Sequence, residues 1–434
     1  MGVITVLLQF SVQNFRSFRD RTVFSMEASS DTNLENNLST LVVSGKETRI
    51  LHSAVLFGAN ASGKSNLFKA FTAAITTIRA SSSIQPDQPL SLIVPFMPDP
   101  AYRDKPTSFE FVFVAEGKKY VYGFSATREK VETEYLYVFH SAKYSVIFDR
   151  DIHRTPEYRF TNPTIRRELD PLKRMNTANK LFLSTATAWN SATTKTPYLW
   201  FAAAIDVYPN NYDDLLPRFG ELLSRDQGPS DLRCFIIERM READISIDDY
   251  HVDSHEFSAE QFAQQFPPEL HDLISAVAPE RNVAYKIDAL HHALDAEGNQ
   301  VDYTFNMSDE SKGTQNMFML SPLLMKTFRE GNILCIDEFD ASFHPLLAIY
   351  LVSLFHNPDI NKNHAQLIIS SHAMELMSQL HYRRDQIYFV QKDAKAAASE
   401  LYSLDEFSPR LKEDIRKSYL AGRFGSLPLI DEVM

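Results

Sequence analysis

Eight consecutive residues carry the clearest chemistry in the chain. Gly58-Ala59-Asn60-Ala61-Ser62-Gly63-Lys64-Ser65 fits the pattern G-x-x-x-x-G-K-[ST] completely. Glycines let the backbone curl so that successive N–H groups point at phosphate oxygens. A helix that starts at the end of such a loop adds positive partial charge. Lys64 is long enough to reach the β- and γ-phosphates, and the Ser65 hydroxyl suits Mg²⁺. Asn66 follows directly and is grouped with Gly58 to Ser65 as the expected cofactor-binding set.

Three further groups have the right types for the same chemistry. Ile333-Leu334-Cys335-Ile336-Asp337-Glu338 is an apolar run that ends in two acids. Asp337 would hold Mg²⁺, directly or through water, and Glu338 would polarise an attacking water as general base. Ser311 and Gly313 precede a helix-like stretch; a serine there suits a helix cap, and a glycine allows close backbone approach to phosphate. His372 lies just past the apolar run Ile368-Ile369-Ser370, where it could contact a γ-phosphate or sit at an ordinary strand end.

These residues need strands and helices to position them. Ile4–Phe10 and Ala54–Phe57 are strand-like, and Lys64–Arg79 has helical spacing, so the phosphate loop stands between strand and helix. A polar loop from Ser81 to Pro106 follows. Alternating runs at 109–113, 120–124 and 135–139 predict an antiparallel β subdomain, with Glu116-Gly117 as a hairpin turn. Helical spacing dominates from Asn162 to Ala243, and β-like sequence returns at Ile245–Val252. The last third alternates strand and helix, and Ser403–Arg416 reads as a solvated helix. The expected organisation is an N-terminal lobe at 1–160, a helical insertion at 161–245 and a C-terminal lobe at 246–434.

Composition narrows the function. The net charge of −12 over 434 residues speaks against a protein that coats nucleic acid by charge alone. The basic residues Arg166, Arg167, Lys173 and Arg174 read as a solvated helix face, with a local DNA contact as the alternative. Two cysteines, Cys234 and Cys335, exclude a disulfide framework and suit a reducing interior. No apolar run is long enough to span a bilayer, so a cytoplasmic location without membrane contact is expected. The pairs His251/His255 and His291-His292 lack cysteine or carboxylate partners at ligand spacing, and structural roles are expected for them.

The order of these motifs resembles that of the ABC-type ATPases: phosphate loop, insertion, Ser311-x-Gly313 signature, Walker B acids Asp337-Glu338 and switch histidine His372. Asn14-Phe15-Arg16-Ser17-Phe18 looks like the N-terminal segment of the RecF, SMC and OLD branch. Glu310-Ser311-x-Gly313-Thr314, Asp337-Glu338-Phe339-Asp340 and His344-Pro345 resemble the AAA-type proteins of bacterial anti-phage defence, of RloA and PARIS type. So does the tail from Tyr419 to Pro428. The resemblance implies an α/β P-loop ATPase head with an antiparallel β subdomain, binding ATP and Mg²⁺. Lys64, Glu338 and His372 would be its catalytic residues.

It further implies a homodimer or higher oligomer, in which Ser311 and Gly313 of one copy face the γ-phosphate held by another. A separate effector or toprim-type nuclease is an implied partner, and DNA or a phage component an implied trigger. The signature departs from Leu-Ser-Gly-Gly-Gln, and of the family's usual glutamine only Gln85 and Gln88 offer candidates. A RecF- or SMC-like role in DNA maintenance is the alternative. A transporter ATPase fits the RecF-like start and the insertion less well. With about 60 residues after His372, any nuclease is expected to be a separate partner.

Overall fold

A computed structural model describes residues 4–141, 143–208, 215–226, 228–258, 260–261, 267, 282–410 and 413–427. The chain forms two compact units. The first comprises Met1–Asn210, Thr327–Ala341 and Pro345–Met434; the second comprises Asn211–Lys326 with Ser342–His344. These boundaries differ from the expected divisions at 160 and 245.

The first unit begins with β1 (Val6–Gln13), β2 (Thr22–Ser25), the hairpin β3 (Leu38–Val43) and β4 (Lys46–Leu51), and β5 (Ser53–Phe57). After the helix Lys64–Ala80 come β6 (Thr107–Ala115), β7 (Lys118–Ala126), β8 (Val131–Phe139), β9 (Tyr144–Asp151), β10 (Tyr158–Arg159) and β11 (Ile205–Tyr208). The second unit supplies β12 (Asp249–Phe257), β13 (Asn282–Leu294) and β14 (Gln300–Asn306). The chain then returns to the first unit for β15 (Ile333–Ile336), β16 (Gln366–Ser370), β17 (Ile387–Lys392) and β18 (Ser399–Ser403).

Two sheets dominate the first unit. One has the order β11-β15-β16-β5-β17-β18 and is parallel from β11 to β17, with β18 antiparallel at its edge. Its strands β5, β15 and β16 are buried at every position. That is why they read as continuous apolar runs: a parallel sheet covered on both faces leaves no polar side. The other sheet is antiparallel, in the order β10-β9-β8-β7-β6-β1-β2. Glu116 (φ 50°) and Gly117 (φ 73°) form its tight β6–β7 turn, since both central residues of a type I′ turn need positive φ. β1 belongs to this sheet, so the antiparallel part is broader than the expected subdomain.

A core rich in aromatic residues lies against the antiparallel sheet. Phe10 stacks on Phe71 of the helix Lys64–Ala80 at 4.0 Å, and Phe113 stacks on Trp200 at 4.3 Å. Leu169, Leu181, Phe182, Leu183, Trp200 and Phe201 are buried in the same core. Much of the expected insertion is therefore integral to the first unit up to residue 204, and β11 extends the parallel sheet. Its short helices are broken by Pro and Asn, and their spacing does not reveal what they pack against. Glu134 anchors this segment. Its buried carboxylate accepts from the Tyr122 hydroxyl (2.9 Å) and from the N–H groups of Phe182 (2.5 Å) and Leu183 (2.9 Å). The acid thus sits at the positive end of the helix Phe182–Ala188.

The second unit contains the helices Leu215–Arg225 and Asp231–Glu242 and the antiparallel sheet β12-β13-β14. It also holds most of the helix Lys312–Glu330, which continues into the first unit. It is mixed α and β, because its sheet lies beyond the stretch 161–245, which is mainly helical among the described residues. Near the C-terminus, the expected helix over Ser403–Arg416 is a short 3-10 turn at Leu404–Phe407 followed by the helix Ile415–Leu420. Pro428, at the end of the resembling tail, lies outside the described residues.

Candidate nucleotide site

The phosphate loop connects β5 to the helix Lys64–Ala80, as its sequence requires. Gly63 has φ 116°, and a Cβ there would lie 2.3 Å from Ser399 Oγ and 2.8 Å from Ser17 Oγ. A Cβ at Gly58 would lie 2.4 Å from the Val390 carbonyl oxygen. Both glycines are therefore demanded by close approach. Lys64 is buried and curls back, donating to the carbonyls of Gly58 (2.7 Å) and Ala59 (3.2 Å). Burial lowers the pKa of its ammonium, while Asp337, Glu338 and Asp340 act in the opposite direction. Among the described residues the buried Ser62 hydroxyl has no hydrogen-bond partner. A curled loop with a buried cation and an orphaned hydroxyl fits a phosphate ligand.

Three adjacent parallel strands bring the remaining groups to the same sheet edge. The loop follows β5, His372 follows β16, and Asp337-Glu338 follow β15. Ile336 pairs with Ile369, so the next residues, Asp337 and Ser370, lie side by side. Ser370 Oγ donates to Asp337 Oδ1 (2.5 Å) and accepts from the Glu338 N–H (2.7 Å). Glu338 is held at φ 50°, an unusual conformation for a non-glycine residue. Asp340 accepts the His372 backbone N–H at 3.1 Å and so ties the acidic loop to the histidine. The His372 side chain is exposed.

A second layer braces the loop. Asn66 Nδ2 donates to Ser17 Oγ (2.8 Å), Ser399 donates its N–H to the Ser17 carbonyl (2.7 Å), and Ser399 Oγ donates to the Ser62 carbonyl (2.5 Å). Asn66 thus directs its amide donor to the N-terminal turn. That turn, Asn14 to Phe18, has Asn14 and Arg16 at positive φ, and Phe15 and Phe18 are buried. Sequence reasoning missed Ser370, Ser399 and Asp340; the parallel register of β15 and β16 would have exposed the first. Gln85 and Gln88 hold their own loop: Gln88 Oε1 accepts from the Gln85 N–H, and both carbonyls accept from Asn179.

Ser311 and Gly313 lie in the second unit. Ser311 Oγ accepts the Thr314 N–H (3.1 Å), capping the helix Lys312–Glu330 as expected. A Cβ at Gly313 would lie 3.1 Å from the Ser342 carbonyl oxygen, a tight approach. Three of the four paired histidines have local partners: His251 bonds Asp253, His291 bonds Glu310 and His292 bonds Asp302. Among the described residues no group of His, Cys, Asp and Glu could hold a metal ion by itself. Arg166 and Arg167 are exposed, and Lys173 pairs with Asp170 at 2.5 Å. Among the described residues no helix is long and apolar enough to cross a membrane.

Comparison with solved structures finds partial overlaps. The SMC head domain from Thermotoga maritima is 13% identical, with 93% of this chain and 99% of that chain covered and a TM-score of 0.38. The Smc head domain with an extended coiled coil bound to the C-terminal domain of ScpA, derived from Pyrococcus furiosus, is 11% identical, with coverages of 93% and 98% and a TM-score of 0.43. The cbiO1 protein from Clostridium perfringens, part of the ABC transporter complex cbiONQ, is 10% identical, with coverages of 96% and 96% and a TM-score of 0.32. No curated protein matches. The model of one family matches residues 53–378, from β5 and the phosphate loop past His372. The chain belongs to this family of ATP-binding P-loop ATPases, described as "AAA domain, putative AbiEii toxin, Type IV TA system".

Proposed function

We propose that this chain is an ATP-hydrolysing switch that closes and opens as an oligomer through shared ATP sites. One observation carries the proposal. Buried Lys64 faces Asp337, Glu338 and Asp340 at the edge of a parallel sheet, while the capped Ser311-Lys312-Gly313 loop belongs to a different compact unit. A loop that binds phosphate and a loop that senses it are thus carried on separate units, which suits a site assembled between copies.

In this reading Lys64 and the loop N–H groups bind the β- and γ-phosphates. Ser65 and Asp337 would hold Mg²⁺, which would supply charge neutralisation at the phosphates. Ser370 fixes the rotamer of Asp337 and the backbone of Glu338. Glu338 takes the proton of the attacking water, and His372 donates to the γ-phosphate. Ser311 and Gly313 of a second copy complete the site. Binding of the γ-phosphate closes the assembly and hydrolysis reopens it.

The biological setting we infer is the sensor or motor subunit of an anti-phage defence system acting with a separate nuclease or other effector. The family description, which names a toxin of a toxin–antitoxin system, supports that setting. The test is ATP turnover and ATP-dependent self-association. Glu338→Gln should lower turnover by about 10²–10⁴-fold and leave the ATP-bound assembly trapped. Lys64→Ala should abolish ATP-dependent association. Wild-type turnover in Glu338→Gln would remove the assigned base. Turnover stimulated by DNA alone, without a protein partner, would favour DNA maintenance instead.

A further inference from the structure

His291 occupies an unusual position beside the signature loop. It lies on β13, 8% exposed, with its ring stacked on Tyr303 (5.1 Å between centroids) and edge-on to Phe305 (5.8 Å). Its Nδ1 is 2.5 Å from the Ser246 carbonyl oxygen, and its Nε2 is 2.9 Å from Glu310 Oε1. Glu310 immediately precedes Ser311. The Gln315 side chain reinforces the same loop, donating to the carbonyls of Ser308 (3.1 Å) and Glu310 (2.8 Å).

Counting donors decides what this arrangement needs. A carbonyl oxygen can only accept, so Nδ1 must carry a hydrogen. An ionised carboxylate also only accepts, so Nε2 needs a hydrogen too, unless Glu310 itself is protonated. In either form the pair holds one proton more than a neutral histidine beside an ionised glutamate. Without it, two lone pairs would face each other 2.9 Å apart in a largely buried site. Asp309 and Lys312 flank the pair in the same loop, and Tyr303 of β14 stacks on the ring. His292 is the next residue on β13, so its side chain points to the opposite face, where its backbone and ring bind Asp248 and Asp302.

We propose that His291 is a positioning residue for the signature loop, and that the His291–Glu310 latch closes only with its shared proton in place. The latch ties the residue before Ser311 to β13, and through Ser246 to the segment leading into β12. Deprotonation releases Glu310 and with it the placement of Ser311 and Gly313. The consequence for the shared site rests on the function proposed above: assembly would weaken as pH rises past the latch's titration, by up to about tenfold per pH unit for one linked proton.

Glu310→Gln separates this from a merely structural role. A glutamine amide can donate to a neutral Nε2, so it keeps the bond without the extra proton. Two measurements distinguish the latch from the shared-site reading. The first follows the His291 imidazole nitrogens by NMR across pH. A single titration that Glu310→Gln shifts down by at least one unit supports the latch. An unshifted titration, or a neutral imidazole beside an ionised Glu310 carboxylate throughout in the wild type, overturns it. The second follows ATP-dependent self-association across pH. The expected result is a wild-type decline that is flat in Glu310→Gln, with association lost at all pH values in His291→Ala. The same pH slope in wild type and Glu310→Gln overturns the role of the latch in assembly. Absence of ATP-dependent association at every pH would sink the shared-site reading, while the NMR result still decides the latch itself.

Discussion

At the scale of single residues, the candidate site depends on side chains that hold other side chains. Ser370 is the clearest. It donates to Asp337 and accepts from the Glu338 N–H, so one hydroxyl orders both acids. Ser370→Ala should lower kcat about tenfold or more, since each lost hydrogen bond to a charged group is worth about 1.5–3 kcal/mol. ATP affinity should change little, because the loop and Lys64 are untouched. Nucleotide titration alongside steady-state turnover checks this, and an equal loss in binding and turnover would contradict it. The phosphate loop and the two acids were legible in the sequence because each is a contiguous run whose chemistry is local. Ser370 and Asp340 were present in those runs, but their roles depend on which strands become neighbours. Ser17 and Ser399 meet the loop from far along the chain. No spacing rule reaches that distance.

At the scale of elements, the junction between the two sheets is held by buried polar groups. β1 pairs with β2 only from Gln9 onward, and Leu8 is skipped at the register shift in its pairing with β6. The fully buried Gln366 of β16 serves the Leu7 backbone beyond the end of the β1–β2 pairing. Its Oε1 accepts the Leu7 N–H (2.7 Å), and its Nε2 donates to the carbonyls of Leu7 (3.1 Å) and Leu51 (3.0 Å). Gln366→Leu should destabilise the first unit by about 2–4 kcal/mol, because it leaves buried backbone groups unpaired. Chemical denaturation measures this; a change below about 1 kcal/mol would contradict it.

The run reads as a buried strand, and nothing in its spacing says that Gln366 serves β1. The same end of the sheet holds histidines kept neutral by burial. The pKa of His52 is lowered to about 4 and that of His356 to about 3, with His364 and His381 adding like charge. Ser39 bridges His52 and His364, and Ser53 bonds His356. Both histidines bind protons near pH 6.5 when unfolded but only near pH 3–4 when folded. Their stability contribution is therefore complete above pH 6.5 and is lost as pH falls toward 4. Each contributes a slope of up to about 1.4 kcal/mol per pH unit. The melting temperature should fall from pH 7 to pH 5, and more shallowly in His356→Gln. An equal fall in the variant would contradict the assignment.

At the scale of the whole molecule, the α/β class and the ATPase motifs were legible, and the division into units was not. Apolar runs identify strands that are buried on both faces, wherever they lie in the chain. They do not say that β11 joins the same sheet as β15 from more than a hundred residues away. The central claim is that a working site takes Lys64 from one copy and Ser311 from another. Mixing two inactive variants tests it most directly. Lys64→Ala retains an intact signature loop, and Ser311→Arg retains an intact phosphate loop. A mixed dimer would then contain one complete site. An equal mixture should regain up to about a quarter of wild-type ATP turnover, as random pairing makes half the dimers mixed with one good site of two. Turnover no higher than the mean of the two variants measured separately would contradict the shared site.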